Sequence, residues 1–241
     1  MNLIIDIGNT QIKAAVFNKK KLLEKNAFSK KDLFNNLSNI SKKYFIDQSI
    51  LSSVGKLNKK EMDCVIELFN PLVLNHRTKL PFINNYATPK TLGVDRIALI
   101  AAAVEIFPSK NVLIIDAGSC ITFDFVNQNK EYDGGAISPG IEMRYKAIHT
   151  FTANLPELSR SDKVPDIGNT TKNAIHLGVE NGIIQEIEGV ITQYKAKYSK
   201  LTIVLTGGDT IFLAKNIKST IFANPNFLLE GLNSILIYNL D

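Results

Sequence analysis

The segment LIIDIG at residues 3–8 returns as LIIDAG at 113–118, an offset of 110 residues. Each copy ends in small polar residues, Asn9 and Thr10 in one and Ser119 in the other, and each is followed by a second apolar run, IKAAVF or ITFDFV. Branched aliphatic residues favour a strand, glycine permits a tight turn, and the run that follows can return as the partner strand of a hairpin. The repeat predicts two related halves, each opening on such a hairpin, and its period is far too long for a solenoid.

Between the copies the pattern alternates. Leu33, Leu37 and Ile40 mark one face of a helix, SILSSV at 49–54 reads as a strand, 58–69 as a helix and PLVL at 71–74 as a strand. The Pro- and Asn-rich run LPFINNYATPKT leads to LGVDRIALIAAAVEIF, whose apolar density predicts a helix near 95–107. After the second hairpin, GGAISPG reads as a loop, 140–151 and 171–198 as helices, and LTIVLTGGDT as a strand ending in glycines. A helix from about 209 and an apolar segment at 227–238 close the chain. This alternation is α/β with mixed sheets. No linker or low-complexity tract separates the halves, 1–110 and 111–241, so they are expected to share a deep interface with the functional cleft between them.

Charge narrows the function. The net charge is +5, but the excess is +8 in residues 1–110 and −3 in 111–241. Much of it lies in short lysine runs such as NKKK at 18–21, which read as turns and solvated faces without the aromatic interleaving of a nucleic-acid binder. No apolar run approaches the roughly 18 to 20 residues of a membrane helix, and the chain begins on a strand pattern instead of a leader, so a cytoplasmic location is expected. Cys64 and Cys120 lack metal-ligand spacing, and His76, His149 and His176 are scattered, which argues against zinc chemistry.

Three strands thus end in small residues: DIGNT, DAGSC and TGGDT. Any one alone is a strand followed by a turn. Together they offer backbone N–H groups, with Asn9, Thr10 and Ser119 as side-chain donors, that can cradle phosphate oxygens. An aspartate beside phosphates would repel them unless a cation intervened. Asp6 and Asp116, at corresponding places in the two halves, therefore point to a bound metal ion and a nucleotide.

In order and spacing, DIGNTQIK, LGVDR, DAGSCIT, GGAISPG, TTKNAIHLGVENG and TGG resemble the motifs of the type III pantothenate kinases. These belong to the superfamily of acetate and sugar kinases, heat-shock chaperones and actin. The resemblance spans nearly the whole chain, whereas no GxxxxGK[ST] loop is present to suggest a P-loop kinase. It implies two ribonuclease-H-like halves, mixed sheets flanked by helices with an ATP cleft between them, and transfer of a phosphoryl group from ATP to pantothenate, the first step of coenzyme A biosynthesis.

The resemblance also implies roles for residues. Asp6, Ile7, Gly8, Asn9, Thr10, Gln11, Ile12 and Lys13 match the phosphate-binding stretch, and Ser119 a position that contacts ATP and usually holds threonine. Asp116 matches a ligand of a monovalent cation, potassium or ammonium, alongside magnesium carried with ATP. Tyr86, the run Gly93, Val94, Asp95 and Arg96, and Thr171 match the pantothenate pocket, with Asp95 as catalytic base. A homodimer is implied as well.

Independent chemistry agrees: a guanidinium suits the carboxylate of pantothenate, and a helix N-terminus keeps an aspartate ionised. Taken alone, Asp95 and Thr171 read as helix N-caps, Tyr86 as packing, and Gly134, Gly135, Gly140, Gly207 and Gly208 as structural. Two other functions remain open at this point: a kinase for another small hydroxyl substrate, and a nucleotide-binding regulatory or assembly protein of the same superfamily.

Overall fold

The structure is a computed structural model and describes residues 1–55, 57–161 and 163–240. Its strands are β1 (Asn2–Ile7), β2 (Ile12–Asn18), β3 (Lys21–Phe28), β4 (Gln48–Ser53), β5 (Leu72–Val73), β6 (Ile83–Asn84), β7 (Asn111–Ala117), β8 (Cys120–Val126), β9 (Glu131–Pro139), β10 (Leu201–Thr206) and β11 (Phe222–Ala223). Its helices are α1 (Leu33–Lys43), α2 (Lys59–Phe69), α3 (Val94–Ile106), α4 (Ile141–Thr150), α5 (Thr171–His176), α6 (Gly182–Lys197), α7 (Thr210–Asn216) and α8 (Phe227–Tyr238). A π-helical turn, Leu177–Asn181, joins α5 to α6.

Packing divides the chain into two units. One comprises Met1–Ser109, Val126–Asp133 and the C-terminal segment from Asn226; the other comprises Lys110–Phe125 and Gly134–Pro225. In the first, a sheet of order β3-β2-β1-β4-β5 pairs β1 antiparallel with β2 and parallel with β4. Leu3, Ile5 and Ile7 share a core with Leu33, Leu37 and Ile40 of α1 and Val65 of α2, while α3 and α8 pack together and against β1 and β4. β1 is therefore apolar on both faces, which accounts for its unbroken hydrophobic run. α3 is buried from Arg96 to Val104 for the same reason.

The second sheet has the order β11-β10-β7-β8-β9-β6, with β10 parallel to both β7 and β11. β9 crosses the division of the chain: Glu131 and Tyr132, at its start, belong to the first unit and pair with Ile83 and Asn84. Within the second unit Leu113, Ile115 and Ala117 pack on Tyr145 of α4, Ile183, Ile187 and Ile191 of α6 and Leu213 of α7.

Three readings of the sequence need correction. GGAISPG is not a loop; residues 134–139 are strand β9. A Cβ on Gly135 would lie 1.8 Å from the Phe123 carbonyl oxygen, so the glycine marks close backbone approach between strands. The stretch 171–198 is not one regular helix, because the π-helical turn interrupts it. β3 went unread: exposed Lys21, Leu23, Lys25 and Ala27 alternate with half-buried Leu22, Glu24 and Asn26, the pattern of an edge strand that carries lysines on its open face.

Candidate active site

In the first unit β1 delivers Asp6 to the hairpin turn. Ile7 pairs with Ile12, the Gly8 N–H donates to the Gln11 carbonyl at 3.1 Å, and Asn9, Thr10 and Gln11 are exposed. The N–H groups of Val54 and Gly55 both donate to the Ile7 carbonyl, at 3.1 and 2.8 Å, and so brace the turn from the end of β4. Ile7 and Ile12 are core residues, which leaves only their backbone groups to meet a ligand.

Asp6 itself is only 5% exposed and stands across from Lys13 on β2 and Ser52 on β4. Among the described residues its Oδ1 has no hydrogen-bond partner, and neither has the Ser52 hydroxyl, so any help Ser52 gives is looser than an ordinary hydrogen bond. Burial pushes the Asp6 carboxyl up to about 6; Lys13 and Ser52 oppose that rise, and the charge of Asp95 adds to it. The fold thus brings two carboxylates, predicted separately, within electrostatic reach of each other.

Asp95 is the second residue of α3, and the cap position falls to Gly93. Its Oδ1 accepts the Arg96 N–H at 2.8 Å and occupies space beside Gly93: a Cβ on that glycine would lie 2.4 Å from it. The cap reading of Asp95 is therefore wrong, and the glycine is what lets the carboxylate fold back over the helix start. Val94 beside it is half-buried.

Arg96 is buried, with its guanidinium carbon 5.5 Å from the centre of the Tyr86 ring. Tyr86 in turn stacks on Tyr132, centroids 6.1 Å apart and planes 10° apart, and Phe82 meets Tyr132 edge-on at 6.2 Å. Tyr132, fully buried, was missed in the sequence because its contact with Tyr86 depends on the pairing of β6 with β9. Tyr86 and Arg96 are thereby held as a stack, not scattered along a loop.

In the second unit Asp116 lies on β7, opposite Thr206 of β10. The turn after β10 closes on it: Gly207 has φ of +96°, and a Cβ there would lie 2.5 Å from Asp116 Oδ1 and 2.2 Å from the Ala117 carbonyl. Ser119 is exposed in its turn, and its carbonyl accepts the Gly140 N–H at 3.2 Å. Thr171 is exposed at the start of α5, but Thr170 is the cap, accepting the Asn173 N–H at 3.1 Å. Among the described residues no three His, Cys, Asp or Glu side chains form a metal cluster, and no helix is long and apolar enough to cross a membrane.

Solved structures share this architecture. A Campylobacter jejuni protein assigned to the Baf family of transcriptional activators aligns with a TM-score of 0.63 at 23% identity, covering 99% of this chain and 98% of its own. A glucokinase from an Antarctic psychrotroph aligns at 0.56 with 12% identity, covering 98% of each. These likenesses show a shared fold. Within it, the family model of type III pantothenate kinase matches residues 2–193, and the type III pantothenate kinase of Christiangramia forsetii is 52% identical over 240 residues, 99% of both chains. The chain belongs to the type III pantothenate kinase family, whose members are ATP-using kinases.

Proposed function

We propose that the chain transfers the γ-phosphoryl group of ATP to the primary hydroxyl of pantothenate, giving ADP and 4′-phosphopantothenate, and that it does so in the cytoplasm as a homodimer. The observation that carries this reading is the arrangement at the start of α3: a carboxylate fixed over Gly93, next to a buried arginine stacked on Tyr86, with the buried Asp6 in electrostatic reach.

Asp95 accepts the proton of the attacking hydroxyl as the new O–P bond forms and the bond to the bridging oxygen of ADP breaks. The helix N-terminus and the Arg96 N–H favour its ionised form. Arg96, oriented by Tyr86, reads the carboxylate of pantothenate, and Thr171 adds a hydroxyl to the substrate pocket. The turn from Gly8 to Gln11 offers backbone and side-chain donors to phosphate oxygens, with Lys13 adding charge and Ser119 a hydroxyl. These groups bind and orient, which is most of what phosphoryl transfer asks of a protein.

Asp6 fits a cation. A buried carboxylate oxygen without a hydrogen-bond donor is costly, and Asp6 would find its missing partner in a hydrated magnesium ion bound with ATP. Magnesium, when bound, neutralises charge on the phosphates. Asp116, its Oδ1 held against the tight turn at Gly207, is the residue we assign to a monovalent cation, potassium or ammonium.

The test is ADP release from purified protein with ATP and magnesium, with and without pantothenate, the product being identified by phosphorus NMR. Turnover that depends on pantothenate and yields a phosphate monoester supports the reading. Equal turnover with a sugar or acetate, or none with pantothenate, contradicts it.

A further inference from the structure

The stretch that carries Tyr86 has little regular structure to hold it. Between β5 and α3 the chain forms only the two-residue strand β6 and one 3₁₀ turn, Pro89–Thr91. β6 is tied to the start of β9: the Ile83 N–H donates to the Lys130 carbonyl at 2.8 Å, the Asn85 N–H to the Tyr132 carbonyl at 2.9 Å, and the Asn85 side-chain amide to Asp133 Oδ1 at 3.0 Å. The Tyr86 N–H then donates to Asn84 Oδ1 at 3.1 Å. These bonds place the backbone of Tyr86, but none of them sets the plane of its ring.

That plane is set by Tyr132. The two rings lie 10° from parallel with centroids 6.1 Å apart, an offset stack, and buried Phe82 meets Tyr132 edge-on and keeps it from tilting. Tyr86 in turn lies under the Arg96 guanidinium. A guanidinium binds a carboxylate through two parallel hydrogen bonds only when the two groups share a plane, and an aromatic ring against its face favours one plane over others. Tyr132 is fully buried and has no surface to offer a ligand, so its influence on substrate must pass through Tyr86. All of these residues belong to the first unit.

We propose that Tyr132 is a positioning residue for substrate recognition: it holds the Tyr86 ring, and Tyr86 holds the Arg96 guanidinium in the plane that a carboxylate requires. The inference rests on the assignment of Arg96 to the carboxylate of pantothenate. A tyrosine that only filled the core would be felt in stability. A positioning residue is felt in the affinity for one substrate.

The experiment is steady-state kinetics of the full chain as wild type, Tyr132→Phe, Tyr132→Leu, Arg96→Lys and the double variant, with both KM values and the melting temperature recorded for each. Tyr132→Leu removes the flat partner and should raise the pantothenate KM about tenfold, while kcat and the ATP KM change by less than about twofold. Tyr132→Phe keeps the ring and should hold the pantothenate KM within about twofold of wild type, even where loss of the phenol lowers the melting temperature. With Arg96→Lys in place, Tyr132→Leu should add less than about twofold, because no planar fork remains to be aligned. Tyr132→Met fills more of the site without a flat face and replaces the leucine variant, with the same expectation, if that chain fails to fold. Wild type that turns over pantothenate, beside a variant that leaves its KM unchanged, raises both KM values alike or adds its full effect to Arg96→Lys, would overturn the inference and leave the functional reading standing. Wild type without pantothenate-dependent turnover would remove both.

Discussion

Asp6→Asn should stabilise the ligand-free fold while removing activity, and the gain should depend on pH in a defined direction. The Asp6 carboxyl is raised from 3.8 to about 6 in the folded chain, chiefly by burial. Below the unfolded value both states hold the proton and the charge costs nothing. As pH rises past the folded value, the native state carries a buried carboxylate that the unfolded chain solvates freely. A shift of about two units at about 1.4 kcal/mol each makes the full cost about 3 kcal/mol above pH 6. Asparagine has similar size and does not titrate. Its own static effects cancel when the stability difference from wild type is compared between pH 4 and pH 7.5. That difference should widen by about 2.4 kcal/mol in favour of the variant, because the unfolded carboxyl is already partly ionised at pH 4, or roughly 5 to 10 °C in melting temperature for a chain of this size. Thermal denaturation in EDTA at four or five pH values reads it directly. A difference that stays flat, or that widens toward acid, would refute the claim that Asp6 is a desolvated carboxylate kept for a cation.

Gly93→Ala should lower kcat by about a hundredfold with little change in melting temperature, because its methyl group occupies the place of Asp95 Oδ1 and displaces the carboxylate; steady-state kinetics with both substrates saturating measures this. Arg96→Lys should raise the KM for pantothenate about tenfold to a hundredfold and leave that for ATP nearly unchanged, since lysine keeps the charge but loses the planar fork that stacks on Tyr86. A rise in the ATP KM instead would move Arg96 to the nucleotide site. Turnover should require potassium or ammonium in addition to magnesium, with sodium a poor substitute; equal rates in cation-free magnesium buffer would remove Asp116 from its assigned role.

Much of the frame was legible because it is written in local patterns. The repeated LIID segments became β1 and β7, and the run from Val94 to Ile106 became a helix buried nearly all round. GGAISPG misled because glycine signals both a loop and a close approach of strands, and only the neighbouring Phe123 carbonyl distinguishes them. At the site, the residue types pointed to phosphate and cation chemistry, but their physical state did not show. That Asp6 is desolvated follows from a sheet covered on both faces, and that Asp95 folds over Gly93 follows from the helix beginning two residues earlier than a cap at Asp95 would require. Tyr132 beneath Tyr86 joins residues 46 positions apart, which no single-chain periodicity encodes.

The most direct test of the central claim is the pantothenate-dependent rate of Asp95→Asn beside wild type, with ATP affinity and melting temperature measured on the same preparations. An asparagine oxygen can still accept the Arg96 N–H, so the helix start should survive. The amide cannot take the hydroxyl proton, and kcat should fall on the order of 10² to 10⁴ with nucleotide affinity and melting temperature unchanged. A variant that binds ATP, melts like wild type and still phosphorylates pantothenate at near the wild-type rate would contradict the assignment of Asp95 as the base.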